Sequence, residues 1–369
     1  MKIEKDCELF IKTIELGFES EADRQEYFDN KIHHNKIHSR ISAKARRNSK
    51  LSYCYFCKTK CSGFCKSHSI PEFVLTNIAK NGMVRYTLEG DVPTLDKPVG
   101  IARAGTFFLI CNECDGKLFQ NYEHPNIYTQ PLSPMALGQI ALKNYLLMIS
   151  KRHSENALYS HLGNIHPNSR AFTDYRQEIN QLDLMEYRTG CNRAMNAATN
   201  PNTSTYHLNY FRILNYRVPY AAQSIITLIS DFEDNIINDI VNHSTNYKTK
   251  SFHLAVFPLK ETTAIILFTD RQDKRYRKFF KQLDSLSPSD QLAAINYIVF
   301  AYTENVFLSP HISDSIIFDP AFRDVCRQYI DITASIPSSK DERQAVLVKR
   351  FSLSNRHSLP NLLDERYSI

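Results

Sequence analysis

A chain of 369 residues with 43% hydrophobic and 23% charged residues has the apolar mass for one large or two ordinary cores, which excludes a disordered or fibrous protein. A formal net charge of +6 is too small to mark the whole chain as a polyanion binder, so charge has to be read segment by segment. No run of about 18 apolar residues occurs and Met1–Asp6 opens no apolar signal-type segment, so a cytoplasmic protein with no membrane partner is expected.

Residues 1–30 hold nine acids against four Lys or Arg, and Leu9, Phe10, Ile14 and Phe18 recur near helical spacing. Residues 31–50 reverse the charge, with Lys31, Lys36, Arg40, Lys44, Arg46, Arg47 and Lys50 and no acid. With His33, His34 and His38 this block reads as a connector, either an arm that neutralises phosphates or a solvated linker. The segment 1–50 is thus an N-terminal helix and basic arm.

Residues 51–128 carry Cys54, Cys57, Cys61, Cys65, Cys111 and Cys114, with Gly82, Gly90, Pro93, Pro98, Gly100 and Gly105 marking an irregular insertion between the halves. From 129 to 335 the pattern is that of an α+β domain. Helices are predicted over 135–152 and 172–196, a loop over 198–205, and strands at 211–214, 225–229, 254–257 and 264–268, the last two as a hairpin. Further helices are predicted at about 274–284 and 288–304, the second opened by Ser287-Pro288-Ser289-Asp290. The polar, Ser- and Arg-rich residues 336–369 read as a loosely held tail. A second basic run, Arg271, Lys274, Arg275, Arg277, Lys278 and Lys281, is interleaved with Tyr276, Phe279 and Phe280. It reads as an amphipathic helix with its phenylalanines in the core, or as a nucleic-acid grip of cations and aromatics.

The two knuckles Cys54-Tyr-Phe-Cys57 and Cys111-Asn-Glu-Cys114 carry the most chemical information. Each C-x-x-C turn converges two thiolates on one ion, and two such turns make the closed four-sulfur set of a structural Zn2+ site. Cys61 and Cys65 offer a second set with Cys54 and Cys57, which leaves an iron–sulfur cluster open. Nine cysteines, an odd number, fit a reducing compartment better than a disulfide framework, and Cys7, Cys191 and Cys326 read as packing residues.

Between the knuckles lies Ser67-His68-Ser69-Ile70-Pro71. This combination resembles the HNH branch of the His-Me finger (ββα-metal) nucleases over residues 51–128. The resemblance implies a zinc-stabilised ββα module followed by a larger α+β domain. It also implies His68 at a strand end as general base on water, and a residue after the second knuckle, here Asp115, as ligand of a catalytic Mg2+ or Mn2+. Pro71 supplies a helix start that leaves His68 outside the helix, and a carboxylate suits a hard divalent ion. Asp115 reads equally as the N-cap of a helix from Gly116 to Glu123. Glu123, about 12 Å along that helix, is a second acidic candidate that could touch substrate, brace His68 or cap the end of its own helix before Pro125. Two positions depart from the family pattern. Ser67 stands where many members have an acid, and Gly105–Ile110 lacks the asparagine that orients the histidine.

Two functions follow. One is a metal-dependent endonuclease acting on nucleic acid, DNA in the first instance, of the kind found in bacterial antiviral defence or mobile elements, with a homodimer or protein partner engaged through the C-terminal domain. The other is a zinc-binding module without catalysis that recognises nucleic acid or protein.

Overall fold

The computed structural model describes residues 31–369 apart from 62, 87, 90–91, 94–97, 166 and 332–338. The helix expected around Leu9–Phe18, and Cys7 with it, lies outside the described residues.

A seven-stranded, wholly antiparallel sheet forms the centre. Its strands are β2 (Met83–Tyr86), β5 (Pro98–Gly100), β7 (Tyr206–Leu214), β8 (Tyr220–Ile226), β9 (Phe252–Pro258), β10 (Thr263–Asp270) and β11 (Val306–Leu308), in the spatial order β5-β2-β11-β8-β9-β10-β7. Two short ribbons stand apart from it: β1 (Ser67–His68) with β6 (Thr106–Phe107), and β3 (Leu88–Glu89) with β4 (Val92–Pro93). The expected hairpin is β9–β10, closed with Pro258 opposite Thr263.

The central strands are apolar at nearly every position because both faces of the sheet are covered. Leu254, Val256, Ile265, Leu267, Val306 and Leu308 point into one core, with α6 (Arg277–Ser285) and α7 (Pro288–Tyr302). Ala255, Phe257, Ala264, Ile266, Phe268 and Phe307 point into the other. That second core is shared with α2 (Glu72–Ile78), α3 (Asn112–Phe119) and the long antiparallel pair α4 (Pro134–Ile165) and α5 (Arg170–Thr199). Strict alternation of period two sorts the side chains between the cores. The result is mixed helix and sheet, consistent with α+β.

Local signals explain the helix boundaries. Ser287 caps α7 by accepting from Asp290 N–H, with Pro288 at the first helical position. The α4–α5 pair closes tightly at Gly138, where a Cβ would come within 2.6 Å of the Ala197 carbonyl carbon. Among the described residues no helix is long and apolar enough to cross a membrane.

Two segments differ from the sequence expectation. The basic stretch is not a connector: Lys31–Asn48 is one helix, α1, because Ile41 buries against Tyr159 and Leu162 at the far end of α4, with Ala45, four residues on, buried as well. The C-terminus is not loosely held. After α8 (Asp314–Ile317) and α9 (Pro320–Asp331), α10 (Lys340–Arg350) opens with a Ser339–Glu342 capping box. Leu353, Leu359, Leu362 and Leu363 then enter the first core. A few spaced leucines fix a segment whose average composition is polar.

Candidate metal centre and histidine hairpin

The two knuckles meet. The sulfur atoms of Cys54, Cys57, Cys111 and Cys114 all lie within 4.8 Å of one another. Tetrahedral zinc with Zn–S bonds of about 2.3 Å places its sulfurs about 3.8 Å apart, so this donor set fits zinc. The first knuckle is shaped by Lys58, whose backbone turns through the left-handed region (φ 61). That turn lets Lys58 N–H reach Cys54 C=O (3.0 Å) and Cys54 N–H reach Thr59 C=O (2.9 Å), which brings both thiols to one side. The second knuckle is the N-terminus of α3: Cys111 is its cap residue and its N–H donates to Cys54 Sγ at 3.3 Å.

Hydrogen bonding to Thr59 lowers the exposed Cys57 thiol to about 6, whereas burial pushes Cys114 up. Four sulfurs this close cannot all carry charge without a cation among them, and a divalent ion removes the conflict by holding every one as thiolate. Cys61 lies near enough to feel Cys54, Cys111 and Cys57 but stays outside the set. Cys65 turns toward Ser67 and Asp115. Cys191 and Cys326 are buried in the core, 0% and 3% exposed.

His68 ends β1, paired with Thr106, while Ser67 pairs with Phe107 on the inward face. Its Nε2 lies 3.1 Å from Ile101 C=O. A carbonyl only accepts, so Nε2 carries the proton and Nδ1 is the basic nitrogen of the neutral ring. The loop from 101 to 105 thus fixes the orientation of the ring.

Gly105 lets that loop pass. Its φ is +61, and a Cβ there would meet Ser69 Oγ at 2.4 Å and Phe307 Cζ at 2.6 Å. Ser69 is held on the other side by a hydrogen bond to Asn305 Oδ1 (2.8 Å). Behind it runs a buried polar chain: Asn305 Nδ2 to Gln223 C=O (2.7 Å), Tyr122 OH to Gln223 Oε1 (2.7 Å), Gln223 Nε2 to Asn144 Oδ1 (2.9 Å), and Asn144 Nδ2 to His253 Nδ1 (3.1 Å). Burial lowers His253 to about 3. The histidine hairpin is therefore anchored in the middle of the large sheet.

Asp115 is not a helix cap. Helix α3 begins at Asn112, so Asp115 stands within its first turn. Its Oδ1 accepts from the Ser67 hydroxyl (2.6 Å) and from the Lys143 ammonium (3.1 Å). Lys143, on α4, is 1% exposed and also lies over the Phe119 ring, 3.6 Å from the centroid. Desolvation lowers its pKa, opposed by Asp115 and Glu123. Lys143 was not anticipated. The available signal was a lysine inside the apolar run Met135–Leu147, where only a paired cation is tolerated.

Glu123 does not continue α3, which ends at Phe119. Its carboxylate returns to accept from Glu72 N–H (3.3 Å), the first residue of α2, so it caps the helix that follows His68. Lost solvation at that carboxyl raises its pKa, against the pull of Lys143. Among the described residues the four-cysteine cluster is the one group of three or more ligand-type side chains close enough to share an ion. Asp115, with an ammonium on Oδ1, does not fit as an open ligand of a second cation in this arrangement.

The second basic run is partly paired within the fold, with Lys274, Arg277 and Lys281 exposed. Phe279 and Phe280 are buried, Lys278 pairs with Glu233 (2.6 Å) and Asp231 (3.3 Å), and Arg275 bonds Asn238 Oδ1 (2.8 Å). No family model, curated protein or solved structure matches the chain.

Proposed function

We propose that the chain is a zinc-stabilised phosphodiester hydrolase of the His-Me finger kind, in which His68 takes a proton from the attacking water. The observation that carries this reading is the half-buried histidine at the end of β1. Its Nε2 is fixed on a carbonyl and its Nδ1 is left basic, in a β1–β6 hairpin followed directly by a helix, α3, that begins at a four-thiolate cluster. Zinc holds β6 and α3 to the first knuckle and takes no part in the chemistry, since four sulfurs leave no open position. The expected substrate is nucleic acid. Defence against foreign DNA belongs to the same proposal.

A second reading is favoured by Lys143. An ammonium pinned to Asp115 neutralises the carboxylate that would otherwise gather a catalytic Mg2+ or Mn2+, and a chain so altered is a binding module that kept the zinc scaffold. Plasmid and single-stranded substrates incubated with zinc-loaded protein, with and without added Mg2+ or Mn2+, separate the two. Cutting by the wild type that is lost in a zinc-retaining His68→Ala variant establishes the hydrolase. Intact substrate in every lane, with zinc bound and the fold preserved, refutes the hydrolase and leaves the binding module.

A further inference from the structure

The outer face of the β1–β6 hairpin continues past His68. The register pairs Ser67 with Phe107 and His68 with Thr106, and the two chains run on from this ladder through Lys66 and Phe108. Side chains alternate along a strand, so His68, Thr106, Lys66 and Phe108 share one face, while Ser67 and Phe107 turn into the core, 2% and 5% exposed. Phe108 is 41% exposed, an unusual position for a phenylalanine between two buried neighbours, Phe107 and Leu109. The Lys50 ammonium stands 5.6 Å from its ring centroid.

A second ring lies on the adjoining segment. Tyr55 N–H donates to Leu109 C=O (3.0 Å), and two residues before it Tyr53 is 42% exposed and bridged to exposed Lys60. On the other side of His68, exposed Arg103 sits in the turn that supplies the Ile101 carbonyl. Of the acids around His68, Glu123 is turned back onto the α2 N-terminus and Asp115 onto Ser67 and Lys143, while Glu72 at the head of α2 is exposed. The surface thus offers open aromatic faces interleaved with cations.

We infer that this face binds single-stranded nucleic acid, with a base stacked on Phe108 and the flanking phosphates held by Lys50 and Lys66, so that the strand runs on to His68. A duplex keeps its bases stacked on one another and cannot present one to Phe108, whereas an unpaired strand can. Exposed aromatic rings among cations are also the composition of protein interfaces, but among the described residues the flanking groups are Lys and Arg and no large aliphatic side chain is exposed beside them, which favours a polyanion. The inference rests on the hydrolase reading only for where a cut would fall.

The test is fluorescence anisotropy with a labelled oligo-dT strand and a duplex of equal length, using zinc-loaded full-length protein in the H68A background so that nothing is cut. Stacking predicts tighter binding of the single strand. F108A should lose about tenfold or more of that affinity, F108W should retain it, and F108L, apolar but without a π face, should not. K50Q and K66Q should each lower the salt dependence by about 0.7 in the log–log slope, one phosphate each. Zinc content and thermal melting, measured on every variant, report the fold.

Wild-type-like single-strand affinity in zinc-retaining F108A and F108L overturns the inference. Equal affinity for duplex and single strand also overturns it, as does no oligonucleotide binding at low salt, an outcome that points to a protein partner instead. Single-strand binding that follows this pattern, beside zinc-loaded wild-type protein that leaves the same strand intact in Mg2+ and Mn2+, upholds the surface and refutes the hydrolase. The two failures are therefore told apart.

Discussion

Removing the Lys143 ammonium tests whether the core beneath the histidine hairpin is organised by charge. In Lys143→Met, Asp115 loses a 3.1 Å ion pair but keeps the Ser67 hydroxyl at 2.6 Å and a side chain 20% exposed, through which water can reach it. Breaking a buried pair from one side costs about 3–5 kcal/mol, and this partial solvation sets the expected loss at the lower end, about 3 kcal/mol. Asp115→Asn should cost more, because it strands an ammonium that is 1% exposed. The double variant Lys143→Met/Asp115→Asn should recover most of the loss, giving a coupling of about 2 kcal/mol or more. Burial holds Lys143 below the ordinary lysine range, so between its folded and unfolded pKa values the unfolded chain binds a proton that the folded chain has released. Stability conferred by this group therefore rises with pH across that window and is flat below it, and Asp115→Asn should widen the window. Urea titration of zinc-loaded protein, followed by near-ultraviolet circular dichroism of the 20 tyrosines in a chain without tryptophan, measures all of this. Additive single losses, or a Lys143→Met loss below about 1 kcal/mol, would refute the reasoning.

Cys111→Ser should lose zinc and the folded state of the knuckle region together, since a four-thiolate site contributes on the order of 10 kcal/mol; metal content by mass spectrometry and protease mapping of residues 51–128 check it. Gly105→Ala should destabilise by about 2–4 kcal/mol, because φ +61 and two contacts below 3 Å leave a methyl no room, and a melting temperature within a degree of wild type would contradict this. His253, lowered to about 3 by burial, stays neutral in the folded chain while the unfolded chain protonates below about 6.5. Stability should accordingly fall as pH drops from 6.5 toward 3, with a slope of up to about 1.4 kcal/mol per pH unit from this residue, and His253→Gln should remove that share in the pH 5–6.5 range, where few carboxylates titrate.

The periodic elements were legible in the sequence because one physical signal decided each. Leu254–Phe257 and Ala264–Phe268 are β-branched or apolar runs around a tight turn, and Ser287-Pro288 is a cap with its own geometry. The knuckle pairing was legible for the same reason, since C-x-x-C carries its chemistry in its spacing. Contacts between distant segments were not. Asp115 looked like a helix cap because nothing in its neighbourhood announces that Lys143, 28 residues on, pairs with it. The helical state of the basic block depends on Ile41 finding Tyr159 and Leu162, a tertiary contact that overrides a charge-rich composition. Likewise Glu123 reads as the end of one helix and proves to cap another, 51 residues earlier.

The position of His68 depends on more than its own module. Strands β2 and β5, drawn from between the knuckles, extend the large sheet through β11, with Phe307 opposite Tyr86 and Leu308 opposite Arg85. Next along β11, Asn305 binds Ser69, the residue after His68, and the Tyr86 hydroxyl accepts from Gly105 N–H beside the turn that orients the imidazole. The histidine hairpin is thus gripped by the C-terminal sheet on one side and by the four-cysteine cluster on the other. Zinc removal should loosen the knuckles and α3 while β11 still holds Ser69. Loss of Asn305 should instead free the hairpin with the metal in place, leaving Ser69 and the Gln223 carbonyl without their partner at a cost of about 2–4 kcal/mol. Asn305→Ala with zinc retained but amide exchange raised across 67–70 and 101–107 would establish that division. Unchanged exchange there would show that zinc alone holds the hairpin.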